Sequence, residues 1–139
     1  MQIPHDDAPA PTEALETALR RVGDRWTLLV VAALLEGPRR FGELAEAVPG
    51  VATNVLTSRL RELERHGLVV AAPYSERPLR VDYRLTAAGT ELAGALRLLA
   101  AWAGSGDGPR HAACGTEVEV RWWCPTCQRV ADDEEEEWV

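Results

Sequence analysis

The chain has 139 residues, 46% of them hydrophobic, and a formal net charge of −7. That length gives one compact domain plus a small appendage, and the composition is ordinary for a soluble globular chain. The longest apolar run, Leu28–Leu35, is far shorter than the ~20 residues a bilayer span needs. The opening MQIPHDDAPAP lacks the basic and apolar regions of a secretory signal, so the expected location is the cytoplasm.

The charge is unevenly placed. Residues 1–19 hold four acids and no base, residues 20–110 hold 13 Arg against 10 acids, and residues 111–139 hold two Arg against eight acids. All 15 basic residues are Arg. The middle of the chain is therefore mildly basic, which is the part that matters for contact with phosphates.

Taken in chain order, Thr12 is placed to cap a helix from Glu13 to about Val22, with Glu13 and Glu16 near its positive end. Asp24 is placed to cap a second helix, WTLLVVAALL, which is apolar nearly all round and predicts a buried element. Gly37 and Pro38 stop it. The segment FGELAEAVPG then reads as a short amphipathic helix ended by Pro49, which disfavours helix in Val48. Gly50 supplies the turn.

A longer helix follows, with Leu56, Leu60 and Leu63 on one stripe and Gly67 at its end. Asn54, Ser58 and Arg61 lie opposite the leucines, and Thr57 lies on the flank. Amide, hydroxyl and guanidinium groups are the types that read base edges in a major groove. The alternative for such a face is plain solvation. Two strand-like segments, Leu68–Val70 and Val81–Leu85, come next. Between them a loop stiffened by Pro73 and Pro78 carries Arg77 and Arg80, which suit a phosphate backbone or minor groove. Thr86 is placed to cap a last long helix to about Ala103, striped by Leu92, Leu96, Leu99 and Trp102. A long apolar stripe on a terminal helix needs the domain's own core or a second subunit. A homodimer is preferred, since a two-fold protein suits palindromic DNA.

The order is helix-turn-helix plus wing, and the chain reads as a regulator that contacts double-stranded DNA. ALRRVGDRWTLL, LLEGPRRFGEL, VLTSRLRELERHGLV and YSERPLRVDYRLT together resemble the HxlR family of bacterial winged-helix regulators, related to the MarR group. The resemblance covers about residues 13–102. It implies a transcriptional regulator that is a homodimer joined through its N- and C-terminal helices. It also implies that Arg39 or Arg40 approaches phosphate, and that Thr53, Asn54, Thr57, Ser58 and Arg61 line the groove. Some family members sense quinones, aldehydes or oxidants through a Cys just ahead of the first helix. Thr12 and Glu13 hold that place here, so thiolate sensing there is not expected. Ala52 stands where the family often has Ser at the start of the recognition helix, and it cannot cap; Thr53 is the substitute.

Beyond the linker-like GSGDGP, HAACGTEVEVRWWCPTC sets His111 and Cys114 as H-x2-C, and Cys124 and Cys127 as C-x2-C. All three cysteines of the chain fall here. Four such ligands suit one structural Zn²⁺ per chain, and EVEVRWW alternates like a strand, giving a miniature zinc ribbon. A Cys124/Cys127 redox pair and inert thiols are the alternatives. His5 and His66 have no such company and read as surface residues. The end, DDEEEEWV, reads as a solvated acidic tail, and Trp122, Trp123 and Trp138 are candidates to pack about the ribbon.

The expected fold class is mainly α with a small β-wing: a winged helix-turn-helix domain followed by a short zinc-ribbon-like β segment. The expected divisions are an N-terminal arm (1–11), the DNA-binding and dimerisation domain (12–103), a linker (104–110), the ribbon (111–130) and the acidic tail (131–139). The runner-up function is a module in which winged helix and ribbon dock protein partners. A zinc or thiol redox enzyme comes last, because no paired acid and base, nucleophile motif or phosphate loop accompanies the ligands. No small-molecule effector is legible.

Overall fold

The computed structural model describes residues 10–104 and 110–131. Most of the expected N-terminal arm and linker, His5, and the acidic tail from Asp132 with Trp138 lie outside the described residues. Two compact units are formed, Thr12–Leu96 and a second that takes in the chain from Arg97 onward. The first is a winged helix-turn-helix: mainly helical, with a small antiparallel hairpin.

Helix α1 spans Pro11–Val22. It starts ahead of the expected Thr12 cap, because proline suits the first helical position, where its missing N–H costs nothing. Helix α2, Arg25–Leu35, begins at Asp24 as its sequence predicts: the Asp24 carboxylate accepts from Trp26 N at 2.9 Å and Thr27 N at 3.2 Å. It is not buried all round. Val30, Val31 and Leu34 enter the core, while Leu29 stays 44% exposed.

Helices α3 (Phe41–Ala47) and α4 (Thr53–Arg65) flank the Pro49–Gly50 turn. Gly50 has φ +86° and Gly67 has φ +71°, conformations that cost glycine little. Glu43 accepts the Arg40 N–H at 2.9 Å and so steadies the start of α3. Ala52 takes the cap position of α4 without a side-chain bond. Thr53 is the first helical residue and does not serve as the cap.

The core is built from α2, α3 and α4 with the start of the wing. Leu44, Leu56, Leu60 and Leu63 are buried together with Val30, Val31, Leu34, Val48 and Val69. The expected leucine stripe of α4 is thus the surface that seats this helix, and its opposite side is left to solvent. Full burial of one such leucine stabilises by about 1.5–3 kcal/mol.

The wing is longer than its sequence predicts. Strands β1 (Val69–Glu76) and β2 (Leu79–Leu85) pair antiparallel from Val69↔Leu85 to Glu76↔Leu79, with a register shift between Pro73 and Ser75. Pro73 therefore lies in a strand and not in the loop, and Arg80 lies in β2. A two-stranded ribbon is all edge, and a register shift tolerates a residue with no N–H. Arg77 and Pro78 alone form the tip.

The expected last helix is broken. Helix α5 covers Ala87–Thr90 and α6 covers Ala93–Trp102. Leu92 N–H bonds back only three residues, to Gly89 O at 3.2 Å, so the chain tightens at the junction. Gly89 and Gly94 add low helix propensity on either side. Thr86 caps as expected, but it caps α5, accepting from Gly89 N at 3.2 Å.

In the second unit, β3 (Trp122–Cys124) pairs antiparallel with β4 (Arg129–Ala131). The EVEV segment does not extend this strand. Glu117 instead bridges to Arg110. Trp122 is 57% exposed and Trp123 61% exposed, so neither is packed away.

Candidate nucleic-acid interface

The exposed side of α4 gathers most of the expected reading residues. Asn54, Thr57, Ser58 and Arg61 line one open concavity, joined there by Glu62 and Arg65. Arg65 was not foreseen, although it stands one turn beyond Arg61 on the same helix face. Thr53 is exposed at the first turn of α4. The Thr57 hydroxyl donates to Thr53 O at 2.9 Å, so its hydrogen is committed to the helix and its lone pairs remain.

The arginines of α4 divide by role. Arg59 donates to Glu62 at 2.8 Å and lies 3.4 Å from Asp24, the capping residue of α2. It ties α4 to the start of α2. Arg65 lies 3.8 Å from Glu62. Among the described residues, the ion pairs of α4 engage Arg59 and Arg65 and leave Arg61 exposed on the open face. Behind that face, burial pushes the Tyr83 phenol above its ordinary pKa; the Glu64 charge adds to this and the Arg61 charge opposes it. Tyr83 of β2 thus lies within electrostatic reach of α4.

The two arginines before α3 also separate. Arg39 Nε donates to Ala33 O at 3.0 Å, and its Nη2 pairs with Glu36. Its backbone exchanges two bonds with Tyr83, at 3.1 and 2.7 Å. Arg39 locks the wing to the end of α2. Arg40 is exposed, and its guanidinium stacks over Tyr74 of β1 at 4.6 Å. That stacking presets the side chain, and its charge also reaches the Asp82 carboxyl.

In the wing, Arg77 at the tip and Arg80 in β2 are exposed. Arg84 is bound to Asp82 by two bonds of 2.7 and 3.1 Å. These bonds hold the Asp82 carboxyl below its usual pKa and raise that of Arg84. The wing is held to α4 by Thr86, whose hydroxyl donates to Gly67 O at 2.6 Å, and by Thr86 N–H to Leu68 O at 3.0 Å.

The four expected metal ligands are brought together in pairs. His111 Nδ1 lies 3.3 Å from Cys114 Sγ, and Cys127 N–H donates to Cys124 Sγ at 3.4 Å. Bonds from the Thr116 side chain and backbone, then from His111, pull the Cys114 thiol below its ordinary pKa. Among the described residues, no three His, Cys, Asp or Glu side chains stand together as a metal-holding group. The local turns of the chain make each pair, but they do not join the two. His66 is exposed, as expected. No described helix is long and apolar enough to cross a membrane.

Comparison with known proteins agrees with this geometry. The family model for HxlR-like helix-turn-helix proteins matches residues 21–109. An uncharacterised HTH-type transcriptional regulator of Mycobacterium tuberculosis is 41% identical over 123 residues, covering 83% of this chain and 77% of the relative. The HTH-type transcriptional regulator YodB of Bacillus subtilis is 35% identical over 103 residues, covering 74% of this chain and 92% of YodB. The solved reduced form of YodB superposes with TM-score 0.60 at 34% identity, over 75% of this chain and 100% of that one. A MarR-family transcriptional regulator from Enterococcus faecalis gives TM-score 0.63 at 36% identity, over 72% of this chain and 91% of that one.

Proposed function

Because the chain belongs to the HxlR-like helix-turn-helix family of transcriptional regulators and not to an enzyme family, we propose that it binds an inverted-repeat operator in double-stranded DNA as a homodimer. The observation that carries this reading is the open face of α4, where Asn54, Ser58 and Arg61 stand outward from a helix seated by buried Leu56, Leu60 and Leu63. Arg61 is matched to the O6/N7 edge of guanine and Asn54 to adenine. The first turn of α4, uncapped at Ala52, is suited to receive a phosphate. Arg40, Arg77 and Arg80 add backbone contacts on either side, which position the reading helix without selecting sequence.

Dimerisation is supported by apolar surface that the single chain leaves uncovered. On α1, Leu15 is 57% and Leu19 52% exposed; on α6, Leu99 is 52% and Trp102 85% exposed. A second copy would cover these helices. Docking of a protein partner is the runner-up function, and salt dependence separates the two. Purified protein titrated with DNA from its own upstream region should lose affinity steeply with salt, by about 0.9 log unit per log unit of salt for each phosphate contacted. A flat salt dependence, or no DNA binding at all, would favour the protein-docking reading.

A further inference from the structure

The C-terminal unit contains the same turn twice. At the first, Gly115 N–H donates to His111 O at 2.7 Å, and Gly115 is left-handed with φ +71°. At the second, Gln128 N–H donates to Cys124 O at 2.8 Å, and Gln128 is left-handed with φ 54°. In each turn a thiol or imidazole stands at the first position, a thiol stands three residues on, and a left-handed residue follows. Gln128 is the one non-glycine residue with positive φ among those described, and such a conformation is uncommon outside glycine.

Each turn also closes a short antiparallel pairing. Arg110 bridges to Glu117 around the first, where His111 N–H donates to Thr116 O at 2.8 Å and Arg110 to Gly115 O at 3.0 Å. Cys124 pairs with Arg129 around the second. Residues 110–131 thus form two small hairpins, each carrying two candidate ligands at its turn.

We propose that the two turns are metal knuckles that close on a single Zn²⁺, bound by His111, Cys114, Cys124 and Cys127. The spacing within the first pair fits this ion. Tetrahedral zinc with bonds of about 2.0–2.1 Å to nitrogen and about 2.3 Å to sulfur separates two such ligands by about 3.6 Å. His111 Nδ1 and Cys114 Sγ already stand 3.3 Å apart. At the second turn the Cys127 N–H donates to Cys124 Sγ at 3.4 Å, folding the chain about that sulfur. Three thiolates and one imidazole form a closed tetrahedral set of the structural kind.

An ion would supply the cohesion that packing does not. Among residues 110–131 none is buried; Cys124, Val130 and Ala131 are intermediate and the rest are exposed. A segment without a core is not held by apolar burial, whereas structural zinc contributes its binding energy directly to folding. The two pairs do not meet among the described residues, so binding of the ion would be the step that closes them into one site. This assignment stands apart from DNA reading, and its test reads metal and thiols only.

The test is elemental analysis with thiol titration on the full chain, freshly purified under reducing conditions without chelator. One zinc per chain is expected, with all three thiols slow to react until a chelator removes the metal. Cys124→Ser and His111→Ala should each lose stoichiometric zinc. His111→Cys should keep it, since a fourth thiolate serves in place of imidazole; this variant separates loss of a ligand from loss of fold. Reduced protein with no zinc and three promptly reacting thiols would overturn the proposal. So would iron in place of zinc, or a native Cys124–Cys127 disulfide.

Discussion

The Gly89→Ala substitution sets a methyl group where the exit of the recognition helix meets the start of α5. A Cβ at Gly89 would stand 2.1 Å from Leu68 O and 3.0 Å from Leu85 Cδ2. An unstrained contact needs roughly 3.5 Å, so the backbone must move by about 1 Å or more. Leu68 O cannot give way cheaply. It accepts Thr86 N–H at 3.0 Å, and Leu68 N–H is itself bonded to Leu63 O at 2.9 Å. Alanine in a helix gains about 1 kcal/mol over glycine, while forcing a group into a packed site costs about 1–3 kcal/mol and occasionally more. The severe clash is with the bonded Leu68 backbone, and only the Leu85 methyl could turn aside, so the cost wins and a net loss of about 1–2 kcal/mol follows. For a unit of this size the melting temperature should fall by roughly 5–15 °C, followed by circular dichroism at fixed protein concentration. An unchanged or raised melting temperature would show that the junction of α4, wing and α5 is looser than these distances state.

The arginine roles separate in binding assays. Arg61→Ala should weaken binding to the specific site by about 1–3 kcal/mol, with little effect on random DNA. Arg80→Ala should weaken all sequences alike and lower the salt slope by about one unit; if both variants match the parent on both DNAs, the reading face is misassigned. Asp24→Ala removes the cap from α2 and should cost about 1 kcal/mol in urea unfolding, a reading contradicted by an unchanged midpoint at unchanged slope. Tyr83 gives a pH test. Its folded pKa is raised, chiefly by burial, so its contribution is complete below the unfolded value near 10 and lost as pH rises through the folded one. Stability should decline on the alkaline side, and Tyr83→Phe should flatten that decline; identical alkaline profiles for parent and variant would remove this assignment.

Much of the reading unit was legible because its signals are local. The Asp24 cap, the Pro49–Gly50 turn, the stop at Gly67 and the leucine stripe of α4 each depend on a few neighbouring residues, and each stands where its sequence predicts. The departures are tertiary. Pro73 enters β1 because a register shift spares it a ladder bond. The terminal helix tightens at Leu92, whose N–H reaches back only to Gly89 O, with glycines on either side. Arg39 and Arg40 are adjacent and chemically alike, yet the fold pins Arg39 to Ala33, Glu36 and Tyr83 while stacking Arg40 on Tyr74. No spacing rule separates them. Arg65, by contrast, follows Arg61 by four residues, and the helical period was sufficient to find it.

Whether α4 reads DNA in a two-fold assembly is decided by the mass of the complex on a mapped site. The full chain is incubated with the upstream fragment that it protects, and the complex is weighed in solution while the protected bases are mapped. Two chains per site are expected, on an inverted repeat whose half-sites lie about 34–36 Å apart, or a multiple of that. One chain per site, or protection without two-fold symmetry, would contradict a two-fold assembly.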